Sequence, residues 1–127
     1  MKLSEHEEYR TAVMASLECE FKTARIAYLQ LIQIAETEDD ISALCYLLQC
    51  LGDVEVRDGN RQTGWELHRQ AIEHSQSIPF VLIKFARSLA KYFDRTDLAV
   101  EYLNEAERLL DSPEWKSTDD NISVESY

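Results

Sequence analysis

Four cations stand at spacings that could act together. Lys84, Arg87, Lys91 and Arg95 follow one another by 3, 4 and 4 residues, which on a helix stacks them along one face. Such a stripe attracts anions, and its counterpart on another protein is an acidic segment. Like charges in a row repel, so the stripe costs stability unless something acidic lies beside it. Asp53, Glu55 and Asp94 are candidates within the fold, and water is another, since most surface charge is merely solvated. A third is the acidic C-terminal stretch, where Glu114, Asp119, Asp120 and Glu125 would fold back as a competitor for the stripe.

Catalytic chemistry finds less to stand on. His6, His68 and His74 form no metal-ligand spacing, and His68 and His74, six apart, fall on largely opposite faces of a helix. Cys45 and Cys50 are five apart, which is not the CxxC redox spacing. The chain has no phosphate-cradling glycine loop and no nucleophile elbow. Acid pairs such as Glu7-Glu8 and Asp39-Asp40 read as solvated helix starts. The expectation is a non-enzyme with no cofactor and no metal.

Charge narrows the partners. The net charge of −11 is uneven: residues 1–56 carry 11 acids against 4 bases, residues 57–110 carry 8 of each, and residues 111–127 carry 5 acids against 1 base. An acidic chain repels phosphate backbones and anionic lipid, so neither nucleic acid nor a membrane is an expected partner. Three cysteines, Cys19, Cys45 and Cys50, are an odd number and sit in or beside apolar runs. Reduced, packed thiols in the cytoplasm are the expectation. The first residues carry no signal-peptide pattern, and no apolar run approaches the ~20 residues that span a bilayer.

Helices must position these residues. Three glycines and two prolines in 127 residues are too few for an all-β fold, which needs turn residues every ~8–12 positions. Ser4 and Glu7 have capping-box spacing, which predicts a first helix from about Glu5. Its apolar face includes Tyr9, Ala12, Val13, Ala15 and Leu17. The pattern changes phase near Glu18–Phe21 without Gly or Pro, so two helices or one long helix fit there. A second run carries Phe21, Ala24, Ala27, Tyr28 and Leu31. Asp40 is placed to cap a third, whose Leu44, Cys45, Leu47, Leu48, Leu51 and Val54 surround it with apolar groups and make it the central helix. Asp58-Gly59-Asn60 ends it. Trp65, His68, Ala71 and Ile72 mark a fourth helix, and Pro79 opens a fifth. The sixth starts near Asp97 and turns Leu98, Ala99, Tyr102, Leu103, Ala106, Leu109 and Leu110 inward. After Asp111 the periodicity fails, which predicts a poorly ordered tail. Trp115 within it is a candidate cover for the last helix pair.

Part of this pattern is written twice. Leu51 stands opposite Ala86, Gly64 opposite Ala99 and Ala71 opposite Ala106, each pair 35 residues apart. Small residues recurring every ~34 residues on paired helices mark a helical repeat array. The chain resembles the tetratricopeptide repeat (TPR) family through Leu51, Gly52, Gly64 and Ala71 in one copy, with Leu48 and His68 where aromatics are usual. The next copy matches through Ile83, Ala86, Ala90, Ala99, Leu103 and Ala106 and departs at Arg87, where a small residue is expected. A weaker early copy is placed on Ala12, Ala24, Tyr28 and Leu31. The resemblance implies an all-α, right-handed solenoid of about three antiparallel helix pairs over residues 1–111, followed by an acidic tail over 112–127.

The resemblance also implies a site. In such arrays the first helix of each pair lines a concave groove that takes a peptide or a partner's helix. The equivalent positions are Tyr9, Arg10 and Val13, then Tyr46, Gln49, Asp53 and Arg57, then Lys84, Phe85, Ser88, Lys91 and Tyr92, beside Arg87 and Arg95 of the stripe. Tyr9, Tyr46 and Phe85 equally suit the core. The family's clamp for a C-terminal carboxylate uses Lys, Arg and Asn. Its positions here hold Tyr9, Val13, Cys50, Val81 and Phe85, which cannot do that work. The leading expectation is therefore an adaptor that holds a protein segment in its groove, with a homodimer through uncapped helix ends as a further candidate. The alternative is an acidic inhibitor, of the immunity-protein kind, that covers a basic enzyme or toxin with Glu5, Glu7, Glu8, Glu18, Glu20 and Glu36–Asp40.

Overall fold

Long apolar periods and few breakers leave helices joined by tight turns. The computed structural model describes residues 1–75 and 77–113, and among these all regular structure is helical. A 3-10 turn (Leu3–Glu5) precedes α1 (Glu7–Leu17), α2 (Phe21–Thr37), α3 (Ile41–Arg57), α4 (Arg61–His74), α5 (Pro79–Tyr92) and α6 (Thr96–Leu110). The expected acidic tail from Glu114, with Trp115, Asp119, Asp120 and Glu125, lies outside the described residues.

The start of α1 corrects the capping-box expectation. Ser4 falls inside the 3-10 turn, His6 is the N-cap, and no side chain caps the helix. Leu3 is fully buried, and drawing it into the core bends the chain before α1 can begin. At α3 the expected cap forms: Asp40 Oδ1 accepts the Ala43 N–H at 3.1 Å, satisfying one orphan donor of the first turn.

The ambiguous phase change is a full break. Cys19 has φ 60°, and the Glu20 N–H reaches back to the Ala15 carbonyl at 2.8 Å. The same closure recurs at Asp39 (φ 56°), with Asp40 N–H to Ala35, and at Gly59 (φ 91°), with Asn60 N–H to Glu55. Such left-handed caps satisfy carbonyls at the end of a helix. Gly59 adopts the conformation without a Cβ penalty, and Asp tolerates it better than most residues. Pro79 sits at the first position of α5, where its missing N–H loses nothing.

Packing follows chain order. Consecutive helices α1 to α4 lie against one another, α5 against α6, and α5 also reaches α3 and α4. Eleven of the 17 residues of α3 are buried, which makes it the central helix its composition predicts. The α3–α4 contact depends on two glycines. A Cβ on Gly64 would lie 2.3 Å from Val56 Cγ2 and 2.7 Å from the Gly52 carbonyl, and one on Gly52 would lie 2.8 Å from the His68 ring. Backbone touches backbone there, which only glycine allows.

Burial departs from the expected inward faces at the two ends. Leu17 is 70% exposed and Leu103 is 44% exposed. In the 35-residue register Leu103 corresponds to His68, which is 0% exposed. His68 is covered by the helix that follows its pair.

Candidate functional site

The strongest candidate is a cleft between α3 and α5. Helical spacing puts Tyr46, Gln49 and Asp53 of α3 on the face turned to α5, and puts Phe80, Lys84, Arg87 and Lys91 of α5 along its rim. Two compartments adjoin. One, of about 420 Å³, is lined by Tyr46, Phe80, Ile83, Lys84 and Arg87. The other, of about 150 Å³, is lined by Asp53, Lys84, Arg87, Ser88, Lys91 and Tyr92. Lys84 and Arg87 wall both, so an apolar space and a cationic one share a boundary.

A polar knot holds the floor. Asp53 Oδ1 accepts from His68 Nε2 and from the Ser88 hydroxyl, each at 2.8 Å, and Lys84 Nζ lies 3.7 Å from Oδ2. Three helices, α3, α4 and α5, thus meet at one carboxylate. The three residue types are those of a hydrolase triad, but the order is wrong: the imidazole and the hydroxyl both bond the carboxylate. A triad needs the imidazole between the other two. His68 is enclosed, stacked on Phe85 and edge-on to Phe93, and its Nδ1 has no hydrogen-bond partner among the described residues. The knot positions Lys84 and ties helices together.

Lys84 is fixed from a second side, its ammonium lying 5.3 Å from the centroid of the Tyr46 ring. Burial works to lower its pKa, yet the nearby Cys50 and Asp53 outweigh this and raise it, so the cation persists. The Tyr46 hydroxyl shares a 2.9 Å hydrogen bond with Tyr9, and burial raises the Tyr46 pKa. Arg87 and Lys91 are exposed. Among the described residues neither has a carboxylate within ion-pair distance, and Lys91 lies over the Tyr92 ring at 5.2 Å. Among the described residues, only Asp53 of the expected neutralisers meets the stripe. Glu55 turns away to Arg25 and Asn60.

Other expected site residues have different places. Gln49 is fully buried and donates to the Val81 carbonyl at 2.7 Å. Ser88 is 3% exposed, so it offers little to a ligand. Arg57 binds the end of α1, donating to Ser16 Oγ and to the Ser16 carbonyl at 2.9 Å each, over the Phe21 ring. Arg10 is exposed on α1, and Val13 is half-buried there. Phe85 is 3% exposed and belongs to the core. Arg95 leaves the stripe: α5 ends at Tyr92, and Arg95 pairs with Asp97 at 3.2 Å. It lines a separate cleft of about 460 Å³ with Arg61, Gln62, Trp65 and Phe93. Phe80 is the cleft residue the cation spacing alone does not name. It stands four before Lys84, so extending the same face one turn backward finds it.

Among the described residues no group of three or more His, Cys, Asp or Glu is placed to hold a metal ion, and no described helix is long and apolar enough to cross a membrane. Comparison with protein-family models, with curated proteins and with solved structures found no match to this chain.

Proposed function

We propose that this chain is a non-enzymatic protein–protein interaction module of the tetratricopeptide type, a right-handed solenoid of three helix pairs that holds a protein segment along the α3/α5 cleft. The observation that carries the reading is the cleft itself. Two side chains without carboxylate partners among the described residues, Arg87 and Lys91, stand beside aromatic surface from Tyr46, Phe80 and Tyr92. Aromatic area with directional cations is what protein-binding surfaces favour. The solenoid reading is supported by the recurring left-handed turns and by the 35-residue register of Gly64 with Ala99 and Ala71 with Ala106, all four buried. The cytoplasm is the compartment that suits three unpaired thiols.

Photo-crosslinking tests it. Benzoylphenylalanine at position 83, in the cleft, should capture a host protein, and the same group at position 29, on the outer face of α2, should not. Arg87→Glu with Lys91→Glu should abolish the adduct. Lys84 is unsuited to this test, because a glutamate there would face Asp53 and disturb the fold. A second reading, the acidic inhibitor, draws on Ile26 and Leu29, which are 51% and 50% exposed on a helix whose ends carry Glu18, Glu20, Glu36, Glu38 and Asp39. Capture at position 29, lost when those acids become amides, would favour it over the cleft.

A further inference from the structure

Resting on the reading of the α3/α5 cleft as a segment-binding site, we infer that its occupant is an acidic segment of a partner protein, with one bulky apolar side chain set close to carboxylates. The two compartments dictate this combination. The larger, about 420 Å³, has room for an aromatic or leucine side chain against Tyr46, Phe80 and Ile83. The smaller, about 150 Å³, is lined by the Asp53 carboxylate as well as by Lys84, Arg87 and Lys91. Asp53 is taken up by Lys84, His68 and Ser88, so the remaining two cations leave the compartment suited to a carboxylate. Arg87 and Lys91 are one helical turn apart, about 6 Å along the axis. In an extended segment side chains on one face recur every ~6.6 Å. Because Lys84 and Arg87 wall both compartments, an anchor seated in one brings an acid two residues on to the cations of the other.

Charge decides the sign of the segment. Lys84 is already occupied by Asp53 and by the Tyr46 ring, and its role is to hold the wall. Arg87 and Lys91 have no carboxylate partner among the described residues. Arg87 offers a planar fork that matches a carboxylate with two parallel hydrogen bonds. A basic segment would meet three cations. A neutral one would fill the apolar compartment and leave two charges unused.

Selection of phage-displayed random heptapeptides on the full chain tests the inference. The enriched pool should carry Asp or Glu within two residues of a Phe, Trp or Leu at several times the input frequency. With Arg87→Glu and Lys91→Glu the preference should invert toward Lys and Arg. The best acidic peptide should then bind the variant at least tenfold more weakly, with the helical circular dichroism unchanged. A pool enriched in apolar residues without acids, and sensitive to the cleft substitutions, would overturn the acidic partner while the cleft stands as a segment site. A pool indifferent to those substitutions, or no enrichment on either the parent or a chain with Glu114, Asp119, Asp120 and Glu125 replaced by their amides, would overturn both. If acidic peptides bind only after Glu114, Asp119, Asp120 and Glu125 are replaced by their amides, the occupant is the chain's own C-terminal segment, and the inferred partner is wrong.

Discussion

Replacing Asp53 by Ala should destabilise the fold by about 2–4 kcal/mol, because three helices share its carboxylate. His68 is 0% exposed, its Nε2 bonds Asp53, and its Nδ1 already has no partner among the described residues. Removing the acceptor leaves a buried ring without any hydrogen bond, which costs about 1–3 kcal/mol. The Ser88 hydroxyl, 3% exposed, loses its bond as well, for about 1 kcal/mol. The Lys84 pair, longer and partly exposed, adds a few tenths at most. Relief of the partly buried carboxylate offsets some of this. Urea unfolding followed by circular dichroism should show a lower midpoint at unchanged slope. Asp53→Asn keeps one acceptor oxygen and should lose about half as much. Arg10→Ala, exposed and remote from the knot, should fall within about 0.5 kcal/mol of the parent. A loss below about 1 kcal/mol in Asp53→Ala would refute the idea that this carboxylate joins the helices.

Gly64→Ala should cost about 3 kcal/mol, since its Cβ would meet the Gly52 carbonyl at 2.7 Å and backbone cannot yield as a side chain can; thermal unfolding measures it. Gly59→Ala, with nothing within 4 Å but φ 91°, should cost only about 1 kcal/mol. Arg57→Ala removes two hydrogen bonds to Ser16 and should cost about 1–2 kcal/mol, with amide exchange quickening first in α1. In the native protein at pH 8 a thiol reagent should label Cys19, which is exposed, and spare Cys45 and Cys50, which are buried. Burial pushes the Cys45 thiol up to about 11 from its ordinary 9.0. The fold therefore favours the neutral thiol: this contribution is whole below pH 9 and is lost as pH rises from 9 to 11. It amounts to about 2–3 kcal/mol at 1.36 kcal/mol per unit. Cys50, Tyr28 and Tyr46 are raised by burial too, so the midpoint should fall steadily above pH 9. A flat profile from pH 8 to 11 would count against the burial of these groups.

Helices were legible where the chain marks its own boundaries. Asp40, Gly59 and Pro79 each act through local chemistry, a cap, a left-handed turn and a fixed φ, and such signals survive any tertiary setting. The break at Cys19 carried no such mark, because a cysteine at φ 60° is held there by the packing of α1 on α2. The cation stripe shows the same limit. A spacing of 3, 4 and 4 presumes one helix, but α5 stops at Tyr92 and Asp94 is left-handed, so Arg95 turns to another cleft. Gln49 looked like a surface residue by type. Its burial depends on α5 crossing α3 closely enough for the Val81 carbonyl to accept its amide, a contact between residues 32 apart that no local pattern announces.

The cleft's charge follows from how α5 packs against its neighbours. In the 35-residue register Lys84, Arg87 and Lys91 replace Gln49, Gly52 and Val56 of α3. Those three are enclosed or half-enclosed: Gln49 under α5, Gly52 against Gly64 and His68, and Val56 against Gly64. A cation at any of them would be buried at a cost of several kcal/mol. On α5 the same positions are open enough to carry charge, because α6 closes on it through Ala99 and Ala106 and needs no glycine at 87. The departure at Arg87 is thus permitted by packing but not required by it. A chain of net charge −11 could have neutralised this rim with its own acids. Among the described residues only Asp53 does so, and it takes Lys84 alone. With no carboxylate partner among the described residues, Arg87 and Lys91 repel each other, and an incoming carboxylate relieves that repulsion. At low salt, where the screening length reaches tens of ångströms, the acidic remainder of the surface repels a segment that offers charge alone; at physiological salt that repulsion is largely screened beyond about 8 Å. Short-range capture then falls to segments that bring an apolar anchor for Tyr46, Phe80 and Ile83 together with their acids. Raising salt should accelerate association of the best acidic peptide and also accelerate its dissociation. Stopped-flow anisotropy at 20 and 200 mM salt separates the two, and an association rate that falls with salt would show that the cationic cleft, not the net charge of the whole chain, governs the encounter.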